Sequence, residues 1–229
     1  MTAVPLLTRS PRLVELAGPA GVGKSTVVQS LRDHTPAAPA TIWGQPVLPL
    51  LGNGVQLLPT LAGFWWESRS IMWDESRHMV RLRTLHRRVQ AGDTGAAPML
   101  VFDEGPVFAL AWLRGFGHES LRRDSSAEWW DLTFRQWAGT VDVVVVLDAS
   151  DAELARRIKA RSTWHEVKNA SVPEITIWMG RFRCALEWVL AGLTSHGSLE
   201  VVRLSTEQHG PEHIADRVRS ALARVACDH

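Results

Sequence analysis

Arg12-Leu13-Val14-Glu15-Leu16-Ala17 runs directly into Gly18-Pro19-Ala20-Gly21-Val22-Gly23-Lys24-Ser25, and Thr26 follows. The first six residues read as a short strand. Thr26 to Asp33 reads as a helix whose apolar positions are Val27, Val28 and Leu31. Between them lies a Gly-x-x-x-x-Gly-Lys-Ser spacing. Its glycines let the backbone wrap so that N–H groups point inward, and the following helix adds its positive end. A loop of this kind holds a nucleoside triphosphate, ATP or GTP. Residues Gly18 to Thr26 form the nucleotide-binding set, Lys24 reaches the β- and γ-phosphates, and the Ser25 hydroxyl is a ligand for Mg²⁺.

Working outward, apolar runs alternate with helical periodicity. Thr41-Ile42-Trp43 reads as a second strand, within a Pro- and Gly-rich stretch from 35 to 59. The stretch from Leu61 to Gln90 reads as helical, and Gly92 to Pro98 as a turn. Met99 to Phe102 is a buried-strand run, and Pro106 opens the next helix. Ser126 to Ala138 is helical, with Trp129, Leu132 and Trp137 facing inward. Val141 to Leu147 is the most apolar strand and suits a parallel sheet covered on both faces. A helix follows from Asp151 to Arg161. Ser171-Val172-Pro173-Glu174 is a capped helix start, and Ile175, Trp178, Phe182, Ala185 and Val189 form that helix's inner stripe. Leu199 to Leu204 is the last strand and Pro211 to Val225 the last helix. The alternation defines one α/β domain, residues 1–229, with a parallel sheet. The loop at Gly18 to Ser25, the acids at Asp103-Glu104, and Asp148 then gather at the carboxyl edge of that sheet.

Asp103 and Glu104 end the third strand. A strand-terminal acid beside such a loop holds Mg²⁺ directly or through water, so Ser25 and Asp103 are the expected metal ligands. Glu104 or Asp103 is placed to take a proton from an attacking hydroxyl. After Asp148, the helix from Asp151 sets Leu154 and Ile158 toward the sheet. Arg157 and Arg161 share another face, four residues apart, and converge on one anion. With His165 and Lys168 beyond them, they suit a closing flap that neutralises a transferring phosphoryl group.

The loop Gly18 to Ser25, the acid Asp103 after the third strand, and the Leu154/Arg157/Ile158/Arg161 pattern occur in the order found in P-loop kinases of the nucleoside and nucleotide kinase type, which this chain resembles. That type includes the thymidylate kinases. The resemblance implies the P-loop NTPase fold: a five-stranded parallel sheet flanked by helices, with a flap after the fourth strand. It implies Mg²⁺-ATP as donor and flap arginines on the donor phosphates. It also implies an acceptor pocket between the first and third strands, where Trp65, Arg69, Trp73 and Arg77 are the substrate-binding candidates; Arg69, Arg77 and Arg81 share a face if that helix is unbroken. This chain departs from the pattern at Asp103-Glu104-Gly105, where the relatives often carry Asp-Arg or Glu-Arg-Ser and use the arginine to hold an acceptor phosphate. The resemblance implies transfer of the γ-phosphoryl group to a hydroxyl or phosphate acceptor such as a nucleoside or nucleotide, and this departure leaves a sugar, an antibiotic or another hydroxyl compound open as well. The alternative is an ATPase or nucleotide-switched protein acting with a macromolecular partner.

A net charge of +1 gives no general argument for nucleic-acid or membrane binding. Two cysteines are too few for a disulfide framework, and Cys184 reads as a core thiol. No window of about 18 uninterrupted apolar residues indicates a membrane span, and the N-terminus lacks the apolar core of a signal peptide. These features, with ATP as donor, point to the cytoplasm and a small-molecule acceptor; a homodimer is left open. His209, His213 and Asp216 are spaced for a metal, but exposed helix histidines are the better account. The chain has only three lysines, so placing one in the loop makes it distinctive. Lys24→Ala should abolish turnover while leaving the circular dichroism spectrum and melting temperature unchanged; near-normal activity in that variant would contradict the loop assignment.

Overall fold

The computed structural model describes residues 12–70, 72–93, 97–162 and 165–227, and the side chains of these up to residue 224. Met1 to Pro11, part of the flap at 163–164, the Cys227 side chain and His229 lie outside that set. Five parallel strands are present: β1 (Arg12–Ala17), β2 (Ala37–Thr41), β3 (Met99–Glu104), β4 (Val143–Asp148) and β5 (Glu200–Ser205). Their order in the sheet is β2-β3-β1-β4-β5. Eight helices connect and follow them: α1 (Lys24–His34), α2 (Val47–Ser68), α3 (Trp73–Gln90), α4 (Pro106–Phe116), α5 (Ala127–Ala138), α6 (Asp151–Ala160), α7 (Val172–Thr194) and α8 (Pro211–Cys227).

The period-2 alternation of the strands sorts their side chains into two apolar layers. Val14, Leu16, Val101, Val143 and Val145 pack under α1, α6 and α8. Leu13, Ala17, Leu100, Phe102, Val144 and Val146 pack under α4, α5 and α7, where the α2–α3 pair also docks. From Val143 to Leu147 β4 is apolar, because it lies between β1 and β5 and is covered on both faces.

Several elements differ from the sequence expectation. β2 is Ala-Ala-Pro-Ala-Thr rather than Thr41 to Trp43. It has weak strand propensity and contains Pro39, which is tolerated because β2 is an edge strand. The single helix expected from Leu61 to Gln90 is two helices. α2 starts already at Val47 and runs through Pro49, Gly52, Gly54 and Pro59, within the stretch read as Pro- and Gly-rich. It ends where Arg69 adopts a left-handed conformation, φ 54°. By length and composition α2 could cross a membrane, with mean hydropathy 1.3, although Asn53, Gln56 and Thr60 interrupt its apolar run. Here its inner residues Leu57, Leu61 and Phe64 sit in the core. On α5 the buried side chains are Trp130, Phe134 and Trp137, while Leu132 is exposed and Trp129 is half-buried, so the inner face is turned from the expected one. Cys184 is exposed, not a core thiol. The capping box at Ser171 and Glu174 is present.

One polar group interrupts the sheet's inner layer. Glu15 shares the β1 face of Leu13 and Ala17 and is fully buried. Its carboxylate accepts backbone N–H groups of Gly105 (3.2 Å), Val107 (2.8 Å) and Phe108 (2.7 Å). These are amides at the start of α4, which have no partner within the helix. A β-carbon at Gly105 would lie 2.7 Å from the Glu15 carboxylate, so only glycine fits there. Burial pushes the Glu15 pKa up to about 7, against the lowering effect of those amides and of Lys24. Between the unfolded value near 4.5 and 7, the folded chain holds a proton that the unfolded chain releases. This contribution to stability is therefore full below the unfolded value and is lost as pH rises through 7. Its size is on the order of 3 kcal/mol at most. Glu15→Gln should reduce the difference between urea midpoints measured near pH 5 and near pH 8; an unchanged difference would show that Glu15 is not the group responsible.

Candidate active site

The loop after β1 and the acids after β3 meet because these strands pair in parallel register, Arg12 with Met99 through Glu15 with Phe102. Both chains leave the same edge of the sheet. Gly18 (φ 147°), Gly21 (φ 81°) and Gly23 (φ 95°) all adopt positive φ. Gly18 is the tightest: a β-carbon there would lie 2.2 Å from the carbonyl oxygen of Leu147 on β4. Gly23 immediately precedes α1 and lets the chain turn into the helix. Val22 is buried and anchors the loop from beneath.

Lys24 is half-buried. Its ammonium donates to the carbonyl oxygens of Gly18 (2.9 Å) and Pro19 (3.2 Å), so it lies within the curve of its own loop. Burial lowers its pKa, and Asp103 and Glu104 oppose that shift. The Ser25 hydroxyl donates to Asp103 Oδ2 at 2.6 Å. That pair of hard oxygen donors suits Mg²⁺, which keeps several waters and takes its remaining ligands from phosphates. Among the described residues no group of three or more His, Cys, Asp or Glu side chains converges on a point; His209 and His213 stack ring on ring at 4.6 Å.

Glu104 has a different environment. The Trp43 indole N–H donates to Glu104 Oε2, and the Ile42 N–H donates to the Glu104 carbonyl. Trp43 in turn meets His78 edge-on at 5.1 Å and carries the Arg81 guanidinium over its ring at 4.9 Å. His78 stacks on Trp112 at 4.3 Å, and burial lowers its pKa.

These groups surround a cavity of about 540 Å³. At one end are Gly18 to Thr26 (Pro19 and Val22 apart), Asp103, Arg157 and Arg161. At the other are Glu104, Trp43, Phe108, Trp112, Trp178 and Phe182, with His165 and Glu166 between. Trp178 donates its indole N–H to Glu166 at 2.8 Å. His165 has a lowered pKa, first through burial and then through Arg161 and Lys24. Arg157 is oriented by Glu153 (2.6 Å) and by the Thr206 hydroxyl after β5 (3.0 Å). The Glu153 carboxyl is held near pKa 2 by Arg156 and Arg157.

Not every sequence candidate reaches this cavity. Asp148 is paired with Arg183 at 2.9 Å and lines a neighbouring groove beside Pro19. Trp65 turns inward and donates to Ser76. Trp73 is 66% exposed, and Arg77 pairs with Asp74 on the surface. Arg69 ends α2 and so cannot share a helix face with Arg77. The helix break at Arg69 to Met72 therefore removes the acceptor surface expected there. The aromatic wall comes from α4 (Phe108, Trp112), from α7 (Trp178, Phe182) and from Trp43 after β2, a tryptophan of the region between the first and third strands where the acceptor pocket was expected. On α4 and α7 the pairs are four residues apart, the same spacing that marks a core stripe, so periodicity alone could not separate the two roles.

The sequence matches no family model and no curated protein. Solved structures with similar coordinates exist. A deoxyadenosine kinase from M. mycoides, in a structure with products dCMP and dCDP, aligns at TM-score 0.54 and 12% identity, covering 93% of this chain and 99% of that one. A thymidylate kinase from Candida albicans aligns at TM-score 0.56 and 10% identity, covering 94% and 92%. The chain has the fold of the P-loop nucleoside and nucleotide kinases, a five-stranded parallel sheet flanked by helices.

Gly18→Ala should place its β-carbon against Leu147 and force a backbone rarely adopted by L-residues, at about 1–3 kcal/mol. A melting curve and ATP calorimetry should show lower stability and no nucleotide binding; wild-type values for both would show the loop is not under that constraint.

Proposed function

We propose that this protein is a small-molecule kinase that transfers the γ-phosphoryl group of ATP to a hydroxyl acceptor. One observation carries the reading. A single cavity joins a phosphate-binding loop to an aromatic compartment, and a carboxylate, Glu104, stands at the junction. An ATPase that only positions water has no use for such a compartment.

The chain's own groups divide the work. Backbone amides of the loop and the Lys24 ammonium hold the triphosphate, and its phosphate oxygens take the place of the Gly18 and Pro19 carbonyls at Nζ. Ser25 and Asp103 would hold Mg²⁺, which neutralises phosphate charge when bound. Arg157 and Arg161 face the same end of the cavity and counter the charge that spreads over the phosphoryl oxygens. The acceptor oxygen forms the new bond to γ-phosphorus while the bond to the β,γ-bridging oxygen breaks, leaving ADP. The hydroxyl proton passes to Glu104, because Asp103 is engaged by Ser25 on the metal side. The Trp43 N–H fixes the orientation of the Glu104 carboxylate.

The acceptor end is walled by five aromatic side chains. Lys24, Arg157 and Arg161 line the cavity, while Arg81 lies over the Trp43 ring of its aromatic wall at 4.9 Å. That wall, with Glu104-Gly105 standing where an acceptor-phosphate arginine would be, supports a planar, unphosphorylated hydroxyl acceptor.

Incubation with labelled ATP and panels of nucleosides, nucleoside monophosphates, sugars and aromatic alcohols, read by mass spectrometry, should give a product heavier by one phosphoryl group from an unphosphorylated compound. Glu104→Gln should lower kcat by roughly 10²-fold or more with little change in ATP affinity. ADP release at one rate with and without every acceptor would overturn the kinase reading in favour of a partner-dependent ATPase.

A further inference from the structure

The carboxylate of Glu104 is held by a side chain that the core does not hold. Among the described residues the Trp43 indole N–H is the one hydrogen-bond donor to that carboxylate. Trp43 stands in the turn after β2, an edge strand whose register with β3 shifts between Ala40 and Thr41. It is 39% exposed. Its ring is fixed instead from α3. The His78 imidazole meets it edge-on at 5.1 Å, and the Arg81 guanidinium lies over its face at 4.9 Å.

We propose that His78 and Arg81 are positioning residues: they clamp the Trp43 ring, and through it hold the Glu104 carboxylate in the orientation that receives the acceptor's proton. The inference rests on the reading of Glu104 as the base. Neither residue lines the cavity, so both act from behind its wall. They are three apart on α3 and therefore share one helix face.

The His78 ring is itself locked. Its Nδ1 lies 2.7 Å from the Asp74 carbonyl oxygen, which can only accept, so this nitrogen carries the hydrogen and donates it. The same ring stacks on Trp112 at 4.3 Å with 7° between planes, and stands at 79° to Trp43. One imidazole thus sets two walls of the acceptor compartment close to a right angle. A phenyl ring at position 78 would fill the space but have no tether to fix its rotation.

The two residues also carry a cost that packing alone would not select. His78 is 5% exposed, and its Nε2 has no hydrogen-bond partner among the described residues. The Arg81 Nε is buried without a partner as well. Unsatisfied buried nitrogens are destabilising, and an apolar side chain at either position would avoid them. Two such atoms on residues that grip one indole are a local violation of the kind found at functional sites. The guanidinium also supplies what a neutral side chain lacks, a positive charge drawn to the ring face.

Indole N–H spectra of the full-length ¹⁵N-labelled protein read the clamp without any acceptor. Trp43→Phe identifies the Trp43 resonance among those of the 11 tryptophans. Glu104→Gln should shift that resonance, as a direct hydrogen bond requires. His78→Phe and Arg81→Gln should each shift or broaden it; Arg81 is only half-buried, so its variant keeps the test open where His78→Phe does not fold. With an acceptor from the mass-spectrometric panel, each variant should lower kcat by ~10-fold or more, the scale of a misplaced reacting group. The KM for ATP should stay within about twofold, because the triphosphate end is untouched. In the Glu104→Gln background the same substitutions should cost no further activity, since their effect passes through that carboxylate.

A Trp43 resonance unmoved in both variants would overturn the clamp. So would unchanged kcat in both, or losses that multiply with that of Glu104→Gln, which belong to a purely structural role. Failure of the underlying reading looks different: no compound in the panel gains a phosphoryl group, or Glu104→Gln turns over at the wild-type rate, and the indole resonance then still decides whether α3 holds Trp43 on Glu104.

Discussion

A buried carboxylate organises the carboxyl edge of the sheet in this protein. Glu15 lies in the strand that leads into the phosphate loop, and it receives the first free amides of the helix that follows the acidic pair. One side chain thus ties the origins of two cavity-lining segments to each other. The strand pairing sets their height along the sheet; the carboxylate sets the angle at which α4 departs, and with it the positions of Phe108 and Trp112 on the cavity wall. Gly105 is the complement of that arrangement, since any side chain there would occupy the space of the carboxylate. An ordinary apolar residue at position 15 would fill the layer but leave three amides without acceptors.

Much of this was legible in the chain before folding. The loop could be read because its function needs glycine, lysine and serine at fixed intervals, and no packing requirement produces that pattern. Strand β4 could be read because a run of valines covered on both faces has few other uses. The flap helix was legible through two interleaved four-residue spacings, Leu154 with Ile158 and Arg157 with Arg161. Structure places the first pair in the core and the second on the cavity.

What could not be read shares a cause: tertiary packing overrode local preference. α2 contains two prolines and three glycines, which locally argue for a loop, yet its inner apolar stripe holds it as a helix. The break at Arg69 depends on one left-handed residue that is not a glycine, and without it the arginines of two helices were assigned to one face. Tryptophan was the most ambiguous letter. Trp130 and Trp137 are core, Trp43, Trp112 and Trp178 line the cavity, and Trp66 and Trp73 face solvent. Glu15 carried a signal of a kind, a lone charge inside an apolar strand, but its partners are backbone amides some ninety residues away and leave no mark on the sequence.

The position of Lys24 carries a consequence for how this protein handles ionic conditions. Its ammonium is already partly withdrawn from water and coordinated by two main-chain oxygens. Grip on the anion at that point is thus shielded from mobile counter-ions, because partly buried charges are weakly screened. Arg161 is exposed, whereas Arg157 and Lys24 are half-buried. Rising electrolyte would therefore weaken the attraction of Arg161 for an anion before that of Lys24.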